Sequence, residues 1–263
     1  MSEVVTEVRD AIRTIAIDRP HVKNALTPSV VTQLTDAFLG AATDDATRAV
    51  ILTGRGGSFS SGLDLKAAIS APQELGGNAG EVGMKLFHGL VRAVRACPRP
   101  VVALVDGPAV GFGCDLALAC DLRVATDRAY FQEKFVRIGL VPDGGGTFWL
   151  PRLVGLAKAT ELVMLGDRLE ADEALRIGLV NRVVPVEQAE TTAWELASRL
   201  AKGPPLALRL MKDCLTKSLA RDLDAALDAE CAAQLECLRS ADLMEGVMAF
   251  FEKREPRFKG GAT

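Results

Sequence analysis

Histidine is nearly missing from this chain. Only His21 and His88 occur among 263 residues. A histidine-built metal centre is therefore excluded, and no H-E-x-x-H helix is present. A Ser-His-Asp triad would have to recruit one of these two, and no G-x-S-x-G elbow supports it. No C-x-x-C pair occurs either. The six cysteines, Cys97, Cys114, Cys120, Cys214, Cys231 and Cys237, read as small buried hydrophobes rather than a disulfide framework. No metal is expected.

Long apolar runs are also lacking. None approaches the ~20 residues that cross a bilayer, so no membrane association is expected. The opening MSEVVTEVRD has no basic segment leading into an apolar one. No secretory signal is visible, and a cytoplasmic protein is expected. There is no excess of positive charge: 31 basic residues face 34 acidic ones, for a net charge of -3. Nucleic acid is thus a poor partner, although a local patch can still bind an anion. What remains is ordinary globular composition, 49% hydrophobic and 25% charged, on a chain long enough for a large core.

Apolar, β-branched runs bounded by turn residues predict strands at 12–17, 49–52, 101–105, 122–125 and 179–184. Helical spacing predicts helices at 28–42, 84–96, 114–120, 157–165 and 171–177, with Thr27 as an N-cap for the first. Alternation of the two argues for an α/β core. From Val186 the texture changes to long amphipathic helices, at 187–201, 205–218, 223–238 and 242–253. The division expected is an α/β core over residues 1–200 and a helical region over 201–263. The segment APQELGGNAG, residues 71–80, reads as a loop beside the core.

Three glycine clusters carry the candidate chemistry. The first, residues 54–65, follows a strand and leads toward a helix. Such turns expose backbone N–H groups, which can bind an anion; a plain connecting loop fits as well. The second, residues 107–115, follows VVALV and opens a helix. Its G-x-x-x-G-x-G spacing is not the dinucleotide fingerprint, and no G-K-[ST] marks a phosphate loop. A helix start with unpaired N–H groups remains, which is the layout of an oxyanion hole. The third, residues 139–147, holds Asp143 between Pro142 and three glycines. Asp143 can be a turn residue or a helix cap, or a carboxylate projected into a pocket as acid and base.

In this order the three clusters resemble the crotonase (enoyl-CoA hydratase/isomerase) superfamily. The matching stretches run from Arg19-Pro20 to Asn24-Ala25-Leu26, through FSSGLDLK (59–66), PVVALVDGPAVGFGCDLALACD (100–121) and GLVPDGGGTFWLPRLVG (139–155), to GLVN (178–181) and AFFEKREPRFKG (249–260). The resemblance implies a spiral of ββα units with a C-terminal helical trimerisation region. It implies an acyl-CoA thioester as substrate, no separate cofactor since coenzyme A is part of that substrate, and a homotrimer or a dimer of trimers.

By matching motifs, the resemblance puts the oxyanion hole on the backbone N–H groups of Leu63 and Phe112. Bulk at Phe112 is expected to reshape the acyl pocket. Substrate contacts are implied at Lys23, Ala25, Ser61, Gly62, Asp64, Leu65, Gly111 and Phe135. Lys253 and Phe251 match a segment that can approach coenzyme A. The two glutamates of family hydratases fall on Asp115 and Phe135 here, and phenylalanine cannot transfer a proton. Glu133 shares a strand face with Phe135, but it would reach the site only by a register shift. Asp143 matches the proton-transferring aspartate of dienoyl-CoA isomerases. The stretch 131–155 looks closest to the epoxyphenylacetyl-CoA isomerase group, where one aspartate works beside a phenylalanine. Asp143 and Asp115 are therefore the catalytic candidates. Three functions stay open: an enoyl-CoA isomerase using Asp143, a hydratase in which Asp115, alone or with Asp143, positions water, and a silent acyl-CoA-binding protein.

Overall fold

A hairpin opens the fold. β1 (Val4–Arg9) pairs antiparallel with β2 (Ile12–Ile17). After α1 (Pro28–Thr43) the chain returns as β3 (Ala49–Gly54), parallel to β2. Thr27 caps α1, its hydroxyl accepting from the Val30 N–H, and Pro28 takes the first turn. Next come α2 (Leu65–Ser70), α3 (Gly77–Ala96), β4 (Val101–Val105), β5 (Pro108–Val110), α4 (Phe112–Leu118) and β6 (Leu122–Thr126). β7 (Tyr130–Gln132), α5 (Gly146–Val154), α6 (Leu156–Leu165), β8 (Leu169–Glu170), α7 (Ala171–Arg176) and β9 (Arg182–Val184) complete the sheets. The computed structural model describes residues 2–70 and 77–260.

The main sheet has the order β1-β2-β3-β4-β6-β9, and a second sheet has the order β5-β7-β8. Every residue of β4 is buried, as a parallel strand covered on both faces requires. On one face α1 and α3 supply Val30, Leu34, Phe38, Leu90 and Val94 to the core. On the other lies α8 (Val186–Ala201). Its Ala189, Ala193 and Ala197 recur every four residues and pack on Ile12, Ile51, Val102 and Val124. α8 therefore covers the sheet, although the change of texture begins at its first residue. The last helices, α9 (Pro205–Ser218), α10 (Leu223–Cys237) and α11 (Ala241–Glu252), are different. They leave Leu215, Leu219, Leu223, Phe250 and Phe251 exposed.

Several expectations change. The helix expected from residue 84 already begins at Gly77, so residues 77–80 are helical; residues 71–76 of the expected loop lie outside the described residues. The strand expected over 179–184 shrinks to β9. Leu179 is instead a buried turn residue whose carbonyl accepts from Arg123 Nε at 2.7 Å. The short α4 starts two residues early, at Phe112. Of the cysteines, only Cys97, Cys114 and Cys120 are buried. Cys214 and Cys237 are half-buried and Cys231 is exposed, because α9 and α10 do not enter the core; all six are free thiols.

Asn24 ties the chain before α1 to the loop after β3. Its side chain is fully buried and its backbone is left-handed, at φ 55°. The amide accepts from the Arg19 N–H (2.8 Å) and donates to the Arg55 (2.9 Å) and Ser58 (2.6 Å) carbonyls. Asn24→Ala strands all three groups and puts alanine, which tolerates the left-handed region less well than asparagine, at positive φ. A loss of roughly 2–4 kcal/mol is expected in urea unfolding.

Candidate active site

Two turns meet beside α4. In the loop after β3, the Leu26 N–H donates to the Gly62 carbonyl (2.7 Å) and the Asp64 N–H donates to the Leu26 carbonyl (2.9 Å). Leu63 lies between these bonds. Among the described residues, its N–H donates to nothing. Gly62 sits at φ +83°, and a Cβ there would fall 2.6 Å from the Val110 carbonyl oxygen and 3.3 Å from the Phe112 nitrogen. Only glycine fits this approach. Phe112 is the first residue of α4, and among the described residues its N–H is also free. Two unpaired donors therefore stand at adjoining turns, as a developing oxyanion would need.

The other residues singled out for substrate contact gather around this loop. Lys23 is exposed and left-handed, and its carbonyl accepts from the Ser61 N–H at 2.9 Å. Ala25 is buried, its carbonyl accepting from Arg19 Nη1. Asp64 accepts from the Ala67 N–H (3.1 Å) and pairs with Arg19 (3.1 Å). Burial pushes its carboxyl up, but these two partners outweigh it and hold it below its ordinary value. The Asp64 side chain is thus engaged in cap and ion pair. Leu65 is exposed at the start of α2. The Gly111 N–H donates to the Gln132 carbonyl (2.8 Å), and the buried Phe135 ring lies against Gly111, its Cζ 3.8 Å from where a Cβ would be. Phe112 packs edge-on to Phe87, with ring centroids 4.8 Å apart. Phe148 is exposed and Trp149 sits under the Arg95 guanidinium, so neither joins that aromatic group. Lys253 and Phe251 are exposed at the end of α11.

Three carboxyl groups converge on the third glycine cluster. Asp115, on α4, is fully buried, and the Gly144 N–H donates to its Oδ2 at 2.9 Å. A Cβ on Gly144 would lie 2.5 Å from the Asp115 Cβ. Asp143, one residue earlier, is half-buried. The third is Glu133, only 3% exposed. A Cβ on Gly146 would fall 2.6 Å from Asp115 Oδ1 and 3.1 Å from Glu133 Oε1. Glu133 thus reaches Asp115 without any register shift. Glu133 and Phe135 both point inward, as their spacing by two suggests, although β7 ends at Gln132 and residues 134–138 form a 3-10 turn.

Burial dominates the proton affinities here. It pushes Asp115 well above its ordinary value, and the Glu133 charge adds to this; the Gly144 N–H opposes it. Burial likewise raises Glu133 to about 7, against the Cys114 and Asp115 side chains that hydrogen-bond to it. Asp143 is raised by burial, with His88 of α3 opposing. From the sequence, Glu133 is set aside as needing a register shift and His88 has no place at this site; spacing alone does not show that α3 brings His88 to Asp143.

Known proteins share this architecture. A family model described as Enoyl-CoA hydratase/isomerase matches residues 7–261. A probable enoyl-CoA hydratase of Rhodobacter capsulatus is 41% identical over 254 residues, covering 97% of this chain and 96% of that protein. The 1,2-epoxyphenylacetyl-CoA isomerase of Escherichia coli is 36% identical over 263 residues, covering 99% of each. The crystal structure of a putative enoyl-CoA hydratase from Streptomyces coelicolor superposes with a TM-score of 0.94 at 38% identity, covering 99% of this chain and 95% of that one.

A raised Glu133 binds its proton more tightly when folded than when unfolded. The stability it contributes is complete below its ordinary value of 4.5 and is lost as pH rises through about 7. Glu133→Gln removes this loss. Its melting temperature is expected to match the wild type near pH 4 and to exceed it by roughly 5 °C at pH 8, read by calorimetry.

Proposed function

The chain belongs to the enoyl-CoA hydratase/isomerase family, and from that premise we propose that it shifts the double bond of an enoyl-CoA thioester, with Asp143 as acid and base. One observation carries the reading: of the three converging carboxyls, Asp143 alone keeps partial exposure, and its buried Oδ1 has no hydrogen-bond partner among the described residues, while Asp115 and Glu133 are buried behind the turn. In a 3-enoyl-CoA, the Asp143 carboxylate takes a proton from C2. The electrons pass to the thioester oxygen, which the Leu63 and Phe112 N–H groups hold; each such donor is worth ~3 kcal/mol in a transition state. The acid form of Asp143 returns the proton at C4, and the double bond moves to C2–C3. No water and no separate cofactor take part. A carboxyl raised toward neutrality suits this exchange.

A hydratase reading has its own support. Asp115 and Glu133 form a carboxyl pair at the glycine turn, and water addition uses two carboxyls. Most of the relatives carry hydratase names. The exposed apolar side chains of α9 to α11 further support a homotrimer or stacked trimers, with those helices packed between copies. No helix among the described residues is long and apolar enough to cross a membrane.

The deciding experiment gives the protein a 3-enoyl-CoA and a 2-enoyl-CoA and separates the products by chromatography. Double-bond migration is expected in the wild type and a loss of about 10²–10⁴-fold in Asp143→Asn. Formation of 3-hydroxyacyl-CoA without migration would replace the isomerase reading by the hydratase one.

A further inference from the structure

Carboxylates only accept hydrogen bonds. Fully ionised, Asp115 and Glu133 would bury four oxygens. Among the described residues no donor stands in good hydrogen-bond geometry to Asp115 Oδ1, Glu133 Oε1 or Glu133 Oε2; the nearest are the Gly146 N–H toward Asp115 and the Cys114 thiol, a weak donor, toward Glu133. Such a pair of charges is costly in a dry interior. Both groups flank the same point, where Gly146 leaves room because it has no Cβ. A single proton between them would supply the missing donor and remove one charge. The remaining oxygen, Asp115 Oδ2, already takes the Gly144 N–H, and that N–H belongs to the peptide directly after Asp143.

We propose that Asp115 and Glu133 share one proton beneath the glycine turn and together clamp the Asp143–Gly144 peptide, making Glu133 a positioning residue for proton transfer at Asp143. This rests on the acid–base reading of Asp143. Glu133 itself touches no reacting atom. It neutralises and orients Asp115, and Asp115 fixes the backbone that aims Asp143. The groups facing the pair are few. Cys114 and Asp115 come from α4, Asp143 comes from the turn, and His88 on α3 acts on Asp143. On the segment of Glu133 itself, Lys134 and Arg137 point outward, and Arg137 is paired with Asp167. No cation among them neutralises the pair, so the proton must. Its release as pH rises leaves two like charges pressed together behind the turn, which loosens the clamp and lowers kcat.

The test joins spectroscopy to kinetics on the full-length protein. Infrared pH titration of the wild type is expected to show the carbonyl stretch of a protonated carboxyl at neutral pH, absent in Glu133→Gln, whose amide donates to Asp115 in its place. With a 3-enoyl-CoA, Glu133→Leu is expected to lose about 10–100-fold in kcat with KM changed less than about twofold, the size of effect that slight misplacement of a reacting group produces. Glu133→Gln restores most of that loss and removes the fall of kcat on the alkaline side. A wild type without the infrared band, or a band that survives Glu133→Gln, overturns the shared proton. Equal losses in the Leu and Gln variants overturn the positioning role. Full activity in Asp143→Asn would instead sink the acid–base reading, and the infrared result would still decide the pair.

Discussion

At Gly62 the loop after β3 meets the end of β5 with no side chain between them. That contact is only possible with a left-handed residue lacking a Cβ. It brings the Leu63 peptide to the first turn of α4, so that a loop donor and a helix-start donor share one space. The supporting bonds are all backbone or buried. Ser60 Oγ accepts from the Gly62 N–H and donates to the Asn24 carbonyl, and Asn24 in turn holds the loop after β3. Two parallel bridges, Ser60 with Ala109 of β5 and Leu26 with Leu63, hold the two turns at their spacing.

Opposite these donors the interior works against charge. Asp115 and Glu133 lie in a region where water cannot solvate them, and each is raised by the same cause, burial. Asp143 is raised less drastically because it keeps some exposure and faces His88. One stretch of fourteen residues, 133–146, thus holds a buried acid, an aromatic wall at Phe135 and a half-open acid, each in a different setting.

Much of this was legible in the residues. Val30, Leu34 and Phe38 at helical spacing behind a Thr-Pro start gave α1, and the unbroken VVALV run gave a doubly covered strand. Glycine clusters after strands marked where backbone donors would be free. Other features had no local signal. β5, β7 and β8 have two or three residues each, and only their mutual pairing makes them strands. α5 hides behind a glycine run and an internal Pro151. Glu133 does share a buried face with Phe135, as spacing by two suggests; what the sequence could not show is that the turn after β7 brings that face against Asp115 without a register shift.

The N–H groups of Leu63 and Phe112, free among the described residues and the oxyanion donors of the proposed reaction, belong to the main chain. Any residue except proline provides the same N–H, so mutation can reach those positions without deleting the charge stabilisation. The acids at positions 115, 133 and 143 are side chains, and a single codon can alter each. The scaffold therefore separates what must persist from what can drift. On the proposed reading, a lineage built on it can change its proton chemistry while keeping the means of holding an enolate, and the relatives of this chain include proteins named as hydratases and one named as an isomerase.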